Sequence, residues 1–263
     1  MRLYYEIARR SFRRATVYRS AYVAGILTNA FFGALRSFVF IGLYGAGGAV
    51  AGFTLGDAIS YAWATQALIS IGAGWVFSRE LMQSIRTGDV VTDLARPWNF
   101  YGYWLSQSLG ERGFNLLVRG SLTYLIGVLY FRAAVPGPAA ALGFAAAVTL
   151  AMLLAFAFSF IVNMTAFWLI ENGGVTMIAN IMLSFFSGFL LPLAFFPAPL
   201  AAVARLLPFQ AITSVPAQIF LGQIQGAALG WALLLQLGWL AALVGLGLLM
   251  LRAAMRKVVV QGG

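Results

Sequence analysis

Seven carboxylates, seventeen basic side chains, and neither a histidine nor a cysteine make up the reactive inventory of this 263-residue chain. Thiol nucleophiles, His–Cys zinc sites, His-ligated haem and Ser–His–Asp relays are thereby excluded within it. Its lysine, Lys257, lies outside any G-x-x-x-x-G-K-[ST] stretch, so the chain carries no phosphate loop for hydrolysing nucleotide. The chain is therefore not expected to be an enzyme or to hold a metal or cofactor of its own. What remains is charge arranged for contact. Glu80, Asp89, Asp93 and Glu111 cluster with Arg79, Arg86, Arg96 and Arg112 in the most polar internal stretch of a chain that is only 9% charged. Both signs of charge in one loop suit docking to another protein; an ordinary solvated loop is the alternative. Arg79 to Arg86 reads as a short helix, Gly88 permits a turn, Asp89 can cap the next element, and Pro97 ends it.

The elements that must position this loop are membrane helices. At 62% hydrophobic and 15% aromatic, the chain lies far from the roughly 45–50% apolar and about 25% charged composition of soluble proteins. A water-soluble globule is excluded, because too few charged side chains exist to cover it. Spanning roughly 30 Å of hydrocarbon takes about 20 apolar residues. Six stretches qualify: Ala21–Tyr44, Asp57–Phe77, Phe114–Phe131 (with a possible start near Tyr101), Ala139–Ile170, Val175–Leu193 and Ala227–Leu251. Basic residues alternate with them. One side receives Arg2, Arg9, Arg10, Arg13, Arg14 and Arg19, then Arg79, Arg86, Arg96 and Arg112, then Arg252, Arg256 and Lys257; the other receives Arg132 and Arg205. The excess of positive charge in cytoplasmic segments then predicts six spans with both termini cytoplasmic, so the net charge of +10 reports topology and not nucleic acid. No long polar block separates the apolar stretches, so residues 1–263 are one membrane domain.

Residues 1–20 precede an apolar run too long for a signal peptide. On a helical projection Arg2, Glu6, Arg9, Arg10, Arg13 and Arg14 share one arc and Tyr4, Tyr5, Ile7, Ala8, Phe12 and Ala15 the other, which predicts a helix lying in the membrane interface, as a topology anchor or as a docking site. Arg36 and Arg119 fall inside spans. Arg119 is near enough to the inner end to snorkel, whereas for Arg36 snorkelling is strained and a water-filled path or an acidic partner would relieve it. Asn29, Gln66, Asn163 and Asn180, with Arg36, are polar residues that could line a passage, or could bond a neighbouring helix at about 0.6 kcal/mol each. Residues 195–222 are apolar but broken at Pro197, Pro199, Pro208 and Pro216 into pieces too short to cross, so they can dip into the outer leaflet and return as a re-entrant hairpin before the last span.

An N-terminal interface helix before six spans, the Gly88-Asp89-x-x-x-x-Leu94-x-Arg96-Pro97 loop within 78–100, and Pro192 and Pro197 leading to Pro208-Phe209 and Pro216…Gly222 together resemble the permease subunits of ABC-2-type exporters, in their compact six-span bacterial branch. The likeness covers nearly the whole chain. It implies that 78–100 is the coupling segment, seated in a groove of a separate ATP-binding-cassette ATPase, through Gly88, Asp89, Asp93, Arg96 and Pro97, with Glu80 and Arg86 flanking. It implies a hairpin capping the exit path, two permeases (two copies of this chain, or this chain and a related one), two ATPase subunits that bind ATP and Mg2+, and a place in the bacterial cytoplasmic membrane. A narrow, sparsely charged interior favours amphipathic or hydrophobic cargo. The competing classes are a membrane scaffold or lipid-interacting subunit without an ATPase, and an ion-coupled carrier, for which Glu171 is the acid nearest a span.

Overall fold

A computed structural model describes residues 2–17, 19–45, 48–72, 78–169 and 171–256. The expected inner end of the second span (Ala73–Phe77), the expected end of the fourth at Ile170, and Lys257 lie outside the described residues. The described residues are helical, with no strand among them. Helix α1 (Arg2–Val17) is followed by α2 (Arg19–Leu43), α3 (Leu55–Ala67) and the single turn α4 (Ile69–Gly72). Next come α5 (Arg79–Thr87), α6 (Val90–Ala95), α7 (Phe100–Phe114), a π-helical stretch Asn115–Gly120, and α8 (Ser121–Phe131). The chain finishes with α9 (Pro138–Met164), α10 (Gly173–Phe186), α11 (Ala198–Leu206), α12 (Ser214–Phe220) and α13 (Gly226–Met255).

By length and composition four helices can cross a bilayer: Ser20–Leu43, Phe100–Phe131, Pro138–Phe167 and Gly226–Met255. The expected second and fifth spans are shorter. Helix α3 has 13 residues and α10 has 14, roughly 20 Å each at 1.5 Å per residue. The reason for α3 is burial: every residue from Ala58 to Gln66 is buried, so it faces protein on all sides and tolerates Tyr61, Thr65 and Gln66 where a lipid-facing helix would not. Trp63, fully buried, sits in a slot made by two glycines: a Cβ at Gly33 would lie 2.9 Å from its ring, and one at Gly127 2.5 Å. Helix α9 is the other core helix; Ala151, Leu154, Ala155 and Ala157 join Tyr61, Leu68, Leu183 and Ile212 in the largest apolar cluster.

Helix α1 does not leave its apolar arc to lipid alone. The Ser11 hydroxyl donates to the Gln107 carbonyl (2.7 Å), Phe12 meets Phe114 edge-on at 5.4 Å, and a Cβ at Gly110 would collide with the Ala8 carbonyl, so α1 lies along α7 in close backbone approach. In the proline-rich region, α11 and the segment Pro208–Phe220 meet at 71°, and neither piece is long enough to cross. Ser214 to Ala217 and Ile219 are buried, with α12 packed on α9 and α3.

Candidate functional site: the charged segment between α4 and α7

Local chemistry sets the shape of this segment. Ser78 caps α5, its hydroxyl oxygen accepting from Leu81 N–H at 3.1 Å, and Glu80 lies in the first turn and Arg86 in the last, each complementing the helix dipole. Gly88 ends α5 with φ +82°, a backbone conformation in which glycine escapes the penalty of a side chain. Asp89 occupies the position before α6, yet its own backbone is already helical and no α6 N–H reaches its side chain; instead Thr87 Oγ1 donates to Asp89 Oδ2 at 2.6 Å. The expected cap is thus replaced by a bond that closes the Gly88 turn. Helix α6 ends at Ala95, and Arg96 is extended, as the residue before Pro97 must be.

One stripe of this segment is anchored. Leu81, Ile85 and Val90 are buried with Phe100, Trp104, Phe160, Met164 and Leu251, which are contributed by α7, α9 and α13. Two ionic braces fix its ends. Glu80 turns toward the body of the protein: Arg14 of α1 pairs with Glu80 Oε1 at 2.8 Å, and Gln107 of α7 donates to Glu80 Oε2. A cleft of about 330 Å³ bounded by Ser11, Arg14, Ala15, Glu80 and Glu111 lies beside this brace. At the other end Arg86 donates to Glu171 Oε1 and to Asn172 Oδ1 (3.0 Å). Glu171 also accepts from Gly173 N–H at 2.9 Å at the start of α10, and these two donors hold its carboxyl below the ordinary carboxylate range.

Of the predicted coupling residues, Gly88, Asp89, Arg96 and Pro97 are each exposed, as are Gln83, Thr87 and Thr92, so the turn between α5 and α6 and the end of α6 form the exposed ridge of the segment. Asp93 is half-buried and 3.6 Å from Arg96, whose guanidinium lies 4.9 Å over Trp98; Trp98 in turn stacks on Tyr103. Glu80 and Arg86, expected as flanking contacts, are engaged within the chain.

The predicted passage residues sit on separate helices. Asn29 is on α2, Gln66 on α3, Asn163 on α9 and Asn180 on α10, and no hydrogen bond joins any two of them among the described residues. Gln66, Asn163 and Asn180 each leave a buried side-chain oxygen without a protein partner there. The two span arginines reach sideways, each with its buried Nε left without a hydrogen-bond partner among the described residues. Arg36 Nη1 donates to Thr65 Oγ1 (3.0 Å) and Nη2 to the Leu190 carbonyl (3.2 Å), with its guanidinium 5.5 Å over Phe189, and no acidic partner pairs with it among the described residues. Arg119, in the π-helical stretch, donates to the Gly25 carbonyl and to Asn29 Oδ1, both at 3.2 Å, against a helix surface that only a glycine leaves open.

In the proline-rich region Pro192 opens a 3-10 turn, Pro197 precedes α11, and Pro208 begins the turn that carries Phe209, which meets Phe158 edge-on at 5.2 Å. Pro216 is buried within α12 and Gly222 (φ +72°) lies just past its end. This region is tied to its surroundings: Ser214 N–H donates to the Ser187 carbonyl (3.0 Å), and the Tyr61 hydroxyl to the Gly188 carbonyl (2.8 Å).

Local sequence rules missed the two braces and the bond from Arg112 Nη1 to the Ile71 carbonyl (2.7 Å) at the end of α4. A signal existed for α1: Gly102, Ser106 and Gly110, at four-residue spacing, make the small-residue seam on which it packs.

Four helices long and apolar enough to cross a bilayer, with a capped and braced charged segment between them, define a helical membrane protein. Residues 31–262 match the family of ABC-2 family transporter proteins, and the chain belongs to that family. It is thus a membrane component of an ABC transporter, without catalytic machinery of its own. No curated protein and no solved structure matches the chain.

Proposed function

We propose that this chain is the pathway-forming permease of an ATP-driven exporter, coupled to a separate ATPase through the segment 78–100. The observation that carries this reading is the exposed Gly88–Pro97 ridge mounted on a buried apolar stripe and braced at both ends. In this reading α2, α3 with α4, the second half of Phe100–Phe131, α9, α10 and α13 are six spans. Both termini and the ridge face the cytoplasm of a bacterial cell, and α11 and α12 form a re-entrant hairpin in the outer leaflet. Two permeases, identical or related, enclose the path and engage two ATPase subunits that bind ATP and Mg2+. Cargo is amphipathic or hydrophobic and leaves outward.

The mechanism is a lever. Closure of the ATPase pair on ATP pushes the ridge, and α5 moves as a rigid body because its apolar stripe is packed. Arg86 carries that displacement to Glu171 and Asn172 and so to the start of α10. The other end of α10 leads into Ser187 and Gly188, whose carbonyls hold Ser214 of α12 and Tyr61 of α3. One helix thereby connects the ridge to the hairpin. Replacing Asp89 and Arg96 with Ala should lower transport-coupled ATP turnover in the assembled complex while membrane insertion stays normal. Unchanged turnover would remove the coupling assignment, and a chain that purifies from its host with no ATPase, even after crosslinking through 85–97, would favour a scaffold.

A further inference from the structure

Helix α1 carries more positive charge than its internal contacts use. Arg14 is taken by Glu80 and Arg9 lies 3.4 Å from Glu6, whereas Arg2, Arg10 and Arg13 are exposed and have no acidic partner among the described residues. With α1 packed on α7 through Tyr4, Ala8 and Ser11, these three arginines lie on the opposite arc. Exposed apolar side chains lie among them or beside them, Val17 and Leu3, with Tyr5 exposed at the edge of the apolar arc. The position is fixed by two facts. Only Tyr18 separates α1 from α2, the first apolar span. The Tyr4 hydroxyl accepts from Asn99 N–H (3.0 Å), next to Phe100, which packs with Phe160 and Leu251 near the ends of α9 and α13. All of α1 therefore lies at the level where those helices end, and that is where headgroups begin.

Basic side chains interleaved with apolar ones at that level match a surface of negative charge above hydrocarbon. We propose that the Arg10–Arg13 face of α1, extended by Arg2, is a binding site for the phosphate headgroups of anionic phospholipids. It rests on the exporter reading only in placing α1 at the cytoplasmic leaflet. An acidic protein surface would use the arginines but gain nothing from Leu3 and Val17 among them, so lipid is the occupant. Because the same helix holds Glu80 through Arg14, bound lipid also steadies the base of the α5–α6 ridge.

The test is native mass spectrometry of the full chain titrated with phosphatidylglycerol or phosphatidylcholine. Each arginine near an anionic surface contributes roughly a fivefold preference, so Arg10→Gln with Arg13→Gln should weaken the tightest phosphatidylglycerol adduct on the order of twentyfold. Phosphatidylcholine adducts should not change, and Arg10→Lys with Arg13→Lys should retain phosphatidylglycerol, which guards against a folding defect. A Gln pair that keeps phosphatidylglycerol at full affinity overturns the proposal. So does a Gln pair whose lipid adducts are intact but whose co-purifying ATPase is lost, because the face would then be a protein contact. A chain that selects phosphatidylglycerol yet binds no ATPase upholds this site while removing the exporter reading.

Discussion

The segments α5–α6 and α11–α12 are built alike and used in opposite ways. Each is a pair of helices of six to nine residues, broken at Gly88, whose φ is +82°, in one and at Pro208, which follows an extended Leu207, in the other. In α5–α6 only one stripe is buried and the rest is presented to water, with long charged side chains bracing the ends. In α12 and the turn before it nearly every residue is buried, and a donor from α13 takes up a freed backbone group there: Gln236 Nε2 donates to the Ala211 carbonyl at 2.8 Å while also reaching the Ala147 carbonyl of α9 at 3.0 Å. The difference teaches that a helix break is neutral in itself. Surrounded by charge it makes a handle, and surrounded by hydrocarbon side chains it makes an insertion that must be satisfied from within.

The largest effect that would break this contrast lies at the buried pair. Gly188 has φ +79°, and a Cβ there would lie 2.6 Å from the Tyr61 hydroxyl and 3.0 Å from Ser214 Cβ. Gly188→Val should cost several kcal/mol from backbone strain and overpacking together, and little folded protein should survive size-exclusion in detergent. Tyr61→Phe is milder: it leaves the Gly188 carbonyl without this donor in a buried site, at about 1–3 kcal/mol, read as a lower thermal midpoint.

At the exposed pair the pattern inverts. Arg86→Gln should lower the thermal midpoint only modestly, because Glu171 is 71% exposed and the bond to buried Asn172 is the part of the contact that counts for stability, yet it should lower transport-coupled ATP turnover several-fold. Glu171→Gln should behave alike, and the double variant should be no worse than either single one, as members of one contact are not additive. The smallest effect is in pH. Glu171 is held below its ordinary value by Gly173 N–H and Arg86, so its contribution is complete above the ordinary carboxylate range and is lost only as pH falls through the lowered value. Coupling should therefore be flat through neutrality, with an acid limb that Glu171→Gln removes; a limb that survives the substitution belongs to another group.

The contrast also explains which features are legible in the sequence. Gly88, Ser78 and Pro97 act through their own backbone neighbours, so a local rule finds them. Asp89 escapes such a rule because capping depends on a backbone angle that the Thr87 bond preempts. The braces Arg14–Glu80 and Arg86–Glu171 join distant segments, and no local rule pairs them. The length of α3 is hidden because hydropathy counting assumes a lipid neighbour, and Ala58–Gln66 has none. The family loop, by contrast, is visible as a contiguous string.

Arg36 bears on how the molecule is made. Its acceptors lie later in the chain, Thr65 on α3 and the Leu190 carbonyl beyond α10, so during synthesis the first apolar helix emerges with a guanidinium that nothing yet made can satisfy. That helix has to wait beside the insertion machinery or near water until more than half of the polypeptide has emerged. Arg36 is thus a timer as well as a strut: truncations ending before Leu190 should leave the first helix extractable, and those ending after α13 should not.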